Sequence, residues 1–367
     1  MASQPGCLQI DRTKQARLIR PARTAGDSQG DKAMRAMVLT EPNLVEQQDI
    51  PEPSTDQGEA LVRVSSSGIC GTDLKILNGG IPAPKPIVMG HEMVGELVND
   101  ATDAKVGQRV LVDPVYHCGT CHACLHNQQH ICTRGGLIGR DINGGFADLV
   151  AVPPANCYVV PDEIANHEVP LIQVLTTCMH GHRMAEIFPG DVVVVLGLGV
   201  TGQLHVQLAK ARGATVIGIT RSQWKLDLAK SLGADYTFAP SDDIKDKILE
   251  VSKGDGADLV IESAGKVLTL GQAFDMVRTG GAIMPFGIYT ETKAELPFYQ
   301  FYFKEIQILN ARASKGQDFV ASMDLVKRGV VKLDPMISDR EPLENLSGAL
   351  DMLTSEAKGR MKIIMNH

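Results

Sequence analysis

Four cysteines fall within the fifteen residues 118–132, inside the stretch YHCGTCHACLHNQQHIC (residues 116–132). The spacing Cys118-x2-Cys121-x2-Cys124-x7-Cys132 offers four soft ligands, enough to close a tetrahedral zinc site. Ferredoxin spacing begins the same way, but its last cysteine follows three residues later and precedes a proline. Here seven residues intervene and Thr133 follows, so zinc is the better fit. Four thiolates leave no open coordination position, and the predicted role is therefore structural. His117, His122, His126 and His130 crowd the same stretch. With four thiolates at hand they are expected on the surface of the lobe.

A second pattern is the glycine turn GLGVTG, residues 197–202, which matches G-x-G-x-x-G. Alone the pattern is weak. Here it follows the apolar run Val192–Leu196 and opens a helical pattern with Leu204 and Leu208 four apart, inside a strand–helix–strand unit, and that context is the confirming one. Gly197 permits the tight turn, Gly199 admits a pyrophosphate close to the backbone, and Gly202 allows close helix packing. Val200 and Thr201 sit between them, at a helix N-terminus whose free N–H groups suit phosphate. The turn predicts a bound dinucleotide. Such units place an acid on the ribose 2′-OH at the end of the second strand. That strand, ATVIGIT, ends instead at Thr220 and is followed by Arg221 and Ser222. No carboxylate stands there to repel a 2′-phosphate, and Arg221 could pair with one, so NADP(H) is favoured over NAD(H).

A third set is scattered: Cys70, Thr72 and Asp73 in GICGTDLKIL (residues 68–77), and His91 and Glu92 in VMGHEMVG (residues 88–95). Taken singly, a lone Cys or His is more often a buried filler than a ligand.

The elements that must position these groups divide the chain. At 367 residues it exceeds one typical core, and about two domains are expected. Residues 34 to about 152 read as short strands broken by Gly and Pro, a β-rich segment. From about Gly190 the texture turns to alternating buried strands and helices, which predicts a parallel sheet. A net charge of −7 and the lack of a long apolar run argue against nucleic-acid and membrane partners. Eight cysteines in so long a chain, without a secretory signal, fit a reducing cytoplasm. Residues 1–33 hold six Lys/Arg against three Asp and are expected to be a disordered leader.

Together CGTD, GHE, the four-cysteine spacing and GLGVTG, in that order, resemble the zinc-containing medium-chain dehydrogenase/reductase family, which includes alcohol, sorbitol and threonine dehydrogenases. The similarity runs from about Met34 to the C-terminus. It implies an α/β protein: a GroES-like β-rich catalytic domain over residues 34–172 with the four-cysteine lobe, a Rossmann doubly wound parallel-sheet domain over 173–310, and a return to the catalytic domain over 311–367. It further implies two zinc ions per subunit, one catalytic and one structural, a small alcohol or carbonyl substrate, and a homodimer or homotetramer. By the same resemblance Cys70 and His91 match catalytic zinc ligands, as in alcohol dehydrogenase, where two cysteines and a histidine hold the metal. Glu92 matches a glutamate that coordinates or approaches it in polyol dehydrogenases. Asp73 would orient His91, Thr72 would take the alcohol proton, and Lys362 would contact the cofactor pyrophosphate.

Two residues depart from the family. Gln173 stands where a third ligand, Glu, Asp or Cys, is expected, and an amide has no charge to offer the metal. Lys75 stands where many relatives carry a proton-relaying His, although lysine's reference pKa of about 10.4 suits relay poorly. The expected reaction is hydride transfer between a secondary alcohol or polyol and NAD(P). The alternatives are a zinc-free NADPH reductase of the same fold, or a non-catalytic NADP-binding redox sensor that uses the four-cysteine lobe as its switch.

Overall fold

The computed structural model describes residues 32–354 and 359–367. The expected leader lies, but for its last two residues, outside the described residues. Among the described residues the β-rich part of the chain forms two main sheets, beside a two-stranded ribbon of Val115–Tyr116 and Gly136–Leu137. One orders its strands Leu44–Pro51, Ala33–Glu41, Ile87–Val88. The other runs Cys157–Val159, Arg109–Val112, Glu92–Leu97, Ala60–Gly68, Lys362–Asn366, Ile337–Pro342. The C-terminal strand Lys362–Asn366 thus pairs antiparallel with Ala60–Gly68, from which nearly the whole chain separates it. Alternation of buried and more exposed residues from Ala60 to Ser66 is what a sheet with one face on the core requires.

The second half forms six parallel strands. With the strands Val192–Leu196, Thr215–Ile219, Tyr236–Phe238, Ala257–Glu262, Val277–Pro285 and Gln307–Ile308 numbered one to six, their spatial order is 3-2-1-4-5-6. That is the doubly wound dinucleotide-binding order, with its switch point between the first and fourth strands. All five residues of Val192–Leu196 are buried, as expected of a central parallel strand covered on both faces.

Between the two halves lies the helix Val169–Met184, buried along most of its length. It packs on the strands Ala60–Gly68 and Glu92–Leu97 and on the helices Val200–Ala211 and Gly316–Lys327. It is an interior helix that buries the polar residues Gln173, Thr176, His180 and His182 along with its apolar ones, and it runs through the expected boundary at 172/173. Its His182 and His205 of the neighbouring helix are both fully buried, with Nε2 and Nδ1 at 3.1 Å. Burial pushes the His205 pKa down to about 3, so the two rings pack as neutral groups.

Candidate active site

The scattered set converges because of sheet register. Gly68, the last residue of its strand, lies opposite Glu92, the first residue of the neighbouring antiparallel strand. Cys70 follows that pairing by two residues and His91 precedes it by one, so both emerge at the same end of the sheet. Cys70 is the N-cap of the helix Gly71–Leu77, and Asp73 closes a capping box by accepting the Cys70 N–H at 2.8 Å. The other Asp73 oxygen lies 3.2 Å from His91 Nδ1. One buried carboxylate therefore caps the Cys70 backbone and stands in ion-pair contact with the His91 ring.

The ligand atoms of Cys70, His91 and Glu92 all lie within 4.8 Å of one another. Burial works against a charged imidazolium, yet the Asp73 carboxylate and Cys70 raise the His91 pKa well above 6.5. The pocket thus favours positive charge at the place where a metal would replace the proton. Glu92 is fully buried, and its Oε1 has no hydrogen-bond partner. A soft thiolate, an oriented imidazole and an orphaned carboxylate oxygen fit a divalent cation. Thr72 is half-buried in the first turn of the same helix. Gln173 is buried in the helix Val169–Met184, which packs on the two strands that carry the trio.

Lys362 departs from its expected place at a pyrophosphate. It is 2% exposed, and its Nζ donates to the Ile69 carbonyl at 2.9 Å and to Glu92 Oε2. The reason is tertiary: the final strand lies against Ala60–Gly68 and brings the ammonium to the buried Glu92 carboxylate. Gly68 is part of the same arrangement. A Cβ there would fall 2.3 Å from Glu92 Oε2, so only glycine leaves room for the pair. Nothing in the local sequence marks Gly68; its strand-end position opposite Glu92 is a property of the register. Lys362→Met should leave the Glu92 carboxylate buried without its partner and cost about 3–5 kcal/mol of stability. Denaturant unfolding of K362M beside K362M/E92Q checks this, and equal stability of K362M and wild type would refute it.

The four-cysteine lobe is equally compact. Cys121 Sγ lies 3.5 Å from Cys124 Sγ and 3.6 Å from Cys132 Sγ, and Cys118 and Cys132 are 3.6 Å apart. Zinc–sulfur bonds of about 2.3 Å in a tetrahedron require sulfurs about 3.8 Å apart. The N–H of Cys124 leads the effects that bring Cys121 down to about 5, so thiolate is favoured there at neutral pH. His117, His122 and His126 are exposed, but His130 is not a free surface group. Its ring meets His180 edge-on at 4.7 Å between centroids, because the turn Gln129–Ile131 rests on the interior helix.

The glycine turn closes as expected of a nucleotide cradle. Gly197 adopts a φ of +89°, and a Cβ on Gly202 would sit 2.0 Å from the Gly197 carbonyl oxygen. Beside Gly199 there is open space, where a phosphate can approach the N-terminus of Val200–Ala211. Val200 and Thr201 are partly exposed in that first turn. Thr220 and Ser222 flank Arg221, which is exposed and forms no ion pair among the described residues.

These two domains and their paired sites define an oxidoreductase built on the alcohol-dehydrogenase plan. A family model described as alcohol dehydrogenase GroES-like domain matches residues 56–162, and one described as zinc-binding dehydrogenase matches residues 200–328. L-galactonate-5-dehydrogenase of Escherichia coli is 31% identical over 324 residues, covering 86% of this chain and 93% of that protein. Sorbitol dehydrogenase of Halalkalibacterium halodurans is 30% identical over 298 residues, 79% of this chain and 87% of that protein. A zinc-binding dehydrogenase of Sinorhizobium meliloti, solved bound to NADP, superposes with a TM-score of 0.86 at 30% identity, covering 92% of this chain and all of that one. The chain belongs to the zinc-type medium-chain dehydrogenase/reductase family.

Proposed function

We propose that the chain is a zinc-dependent, NAD(P)-dependent alcohol or polyol dehydrogenase that prefers NADP(H) and holds two zinc ions per subunit. The observation that carries this reading is the convergence of Cys70, His91 and Glu92, with Asp73 hydrogen-bonded to the Cys70 N–H and 3.2 Å from the His91 ring nitrogen. A bound zinc supplies positive charge that lowers an alcohol's pKa, and a bound NADP+ supplies the hydride acceptor. Cys70, His91 and Glu92, with Gln173 on the packed helix, would hold the metal. Asp73 keeps the imidazole in one orientation, and Thr72 would accept the hydroxyl proton while passing its own hydroxyl proton on to water. Gly197, Gly199, Val200, Thr201 and Gly202 cradle the pyrophosphate. The polyol and sugar-acid substrates in the relatives' names support a secondary alcohol as substrate.

Thr220, Arg221 and Ser222 receive the adenosine ribose, and the unpaired Arg221 guanidinium supports a 2′-phosphate there. Arg221→Ala should weaken NADPH binding about tenfold, the weight of one hydrogen bond to a charged group, and leave NADH unchanged. Fluorescence titration of both nucleotides decides it, and equal losses for the two would remove the assignment. No helix among the described residues is long and apolar enough to cross a membrane, which is consistent with a cytoplasmic enzyme. Phe298, Tyr299, Tyr302 and Phe303 stand exposed beside the edge strand Gln307–Ile308. An exposed aromatic cluster next to an open sheet edge supports self-association into a homodimer or homotetramer.

A further inference from the structure

Lys75 lies on the short helix that Cys70 caps, yet its side chain leaves the catalytic domain. Its Nζ donates to the Ile288 carbonyl at 2.8 Å. Ile288 follows the fifth strand of the nucleotide-binding sheet, Val277–Pro285. Among the described residues this is the one hydrogen bond that directly joins residues 32–168 to residues 185–310. Among the described residues the other hydrogen bonds that tie the halves together run through the interior helix Val169–Met184 or the segment after residue 310.

The receiving carbonyl is held firmly. Phe286 N–H and Gly287 N–H both donate to the Glu262 carbonyl, at 2.8 and 2.9 Å. A Cβ on Gly287 would lie 2.2 Å from Gly265 N, so the two loops touch backbone to backbone. The buried Glu262 carboxylate accepts from Ala264 N–H at 2.9 Å, from Thr269 Oγ1 at 2.6 Å and from the Tyr289 hydroxyl. Ile288 is thereby fixed between two anchored residues, at the C-terminal ends of the fourth and fifth strands, the end of such a sheet where ligands bind.

The donor is the adaptable partner: a partly exposed lysine with a four-carbon stem and three rotatable donors. An ammonium that donates to a carbonyl has no lone pair with which to receive a proton, so this geometry does not suit relay. We propose that Lys75 is a latch between the domains, a positioning residue that holds the cleft closed over the dinucleotide and keeps the Cys70 helix against it. The inference rests on the reading of this cleft as a dinucleotide site, and its test separates the two.

Lys75→Met and Lys75→Arg are made in the full chain. Stopped-flow fluorescence should show NADPH leaving K75M about tenfold faster than wild type, the weight of one charge-assisted hydrogen bond. K75R, which still donates to a carbonyl, should stay close to wild type. KM for the nucleotide should rise more than kcat falls in K75M, with the shape of the pH profile kept. Without nucleotide, small-angle scattering should give K75M a larger radius of gyration than wild type. A wild-type release rate in K75M overturns the latch, and an altered pH profile with normal release would return Lys75 to the proton path. If wild type binds no NADPH, the functional reading fails, and the scattering comparison alone judges the latch: equal radii overturn it.

Discussion

Cys70→Ser should abolish turnover while leaving dinucleotide binding intact. Cys70 supplies the only sulfur in a trio whose other atoms belong to His91 and Glu92, and serine offers a harder, protonated oxygen in place of a thiolate. A metal's charge is worth several kcal/mol in the transition state, and about 1.36 kcal/mol is a factor of ten in rate. The expected fall in kcat is therefore about three orders of magnitude or more. The nucleotide cradle at Gly197–Gly202 belongs to another domain and shares no side chain with the trio, so NADPH affinity should hold. Steady-state kinetics with a polyol panel, nucleotide titration and elemental analysis read the three parts separately. Wild-type-like turnover in this variant would sink the assignment of the catalytic metal site. Zinc falling by one ion per subunit, with the lobe still loaded, is the matching analytical result.

If the four cysteines hold the second zinc of the proposed pair, Cys124→Ser should remove it and loosen the lobe. The buried residues there are Cys121, Ala123 and Cys124, with Cys118, Ile131 and Cys132 half-buried around them. Such a cluster buries little apolar surface for a fifteen-residue excursion, and on the proposed reading a bound zinc would supply the difference. Structural zinc in peptides contributes about 10–16 kcal/mol of apparent binding free energy at neutral pH, enough to decide whether a lobe of this size is ordered. The expected outcome is one zinc fewer per subunit, a lower melting temperature and new trypsin cleavage at Arg134. Retention of both ions and of protease resistance would mean that metal does not hold the lobe. Reversible zinc release on mild oxidation, with no alcohol or ketone turned over by wild type, would instead favour the redox-sensor alternative.

Features that depend on near neighbours in the chain could be read from residue order. The clustering of the four cysteines was legible because they lie within fifteen residues, and a candidate metal site needs little more than that spacing. The glycine turn was legible for the same reason, since a strand, a tight turn and a helix N-terminus are consecutive in the chain. The switch of texture near Gly190 announced a parallel sheet because strands buried on both faces must be apolar throughout. Cys70 and His91 are some twenty residues apart, and only the family resemblance joined them; no local rule does.

Tertiary structure alone decided the rest. The pairing of Gly68 with Glu92 sets which residues meet at the sheet's end, and register depends on how whole strands pack. Lys362 pairs with Glu92 across 270 positions, a contact that exists because the C-terminal strand returns to the first sheet, and that return moved Lys362 from an expected cofactor contact to a buried ion pair. His130 turned inward because the interior helix offers His180 to it. Lys75 reaches Ile288 only when the two domains face each other. Residue type and spacing set which chemistry is available within a few turns of chain, whereas burial and long-range pairing, which depend on the whole fold, choose the partner of each charged group.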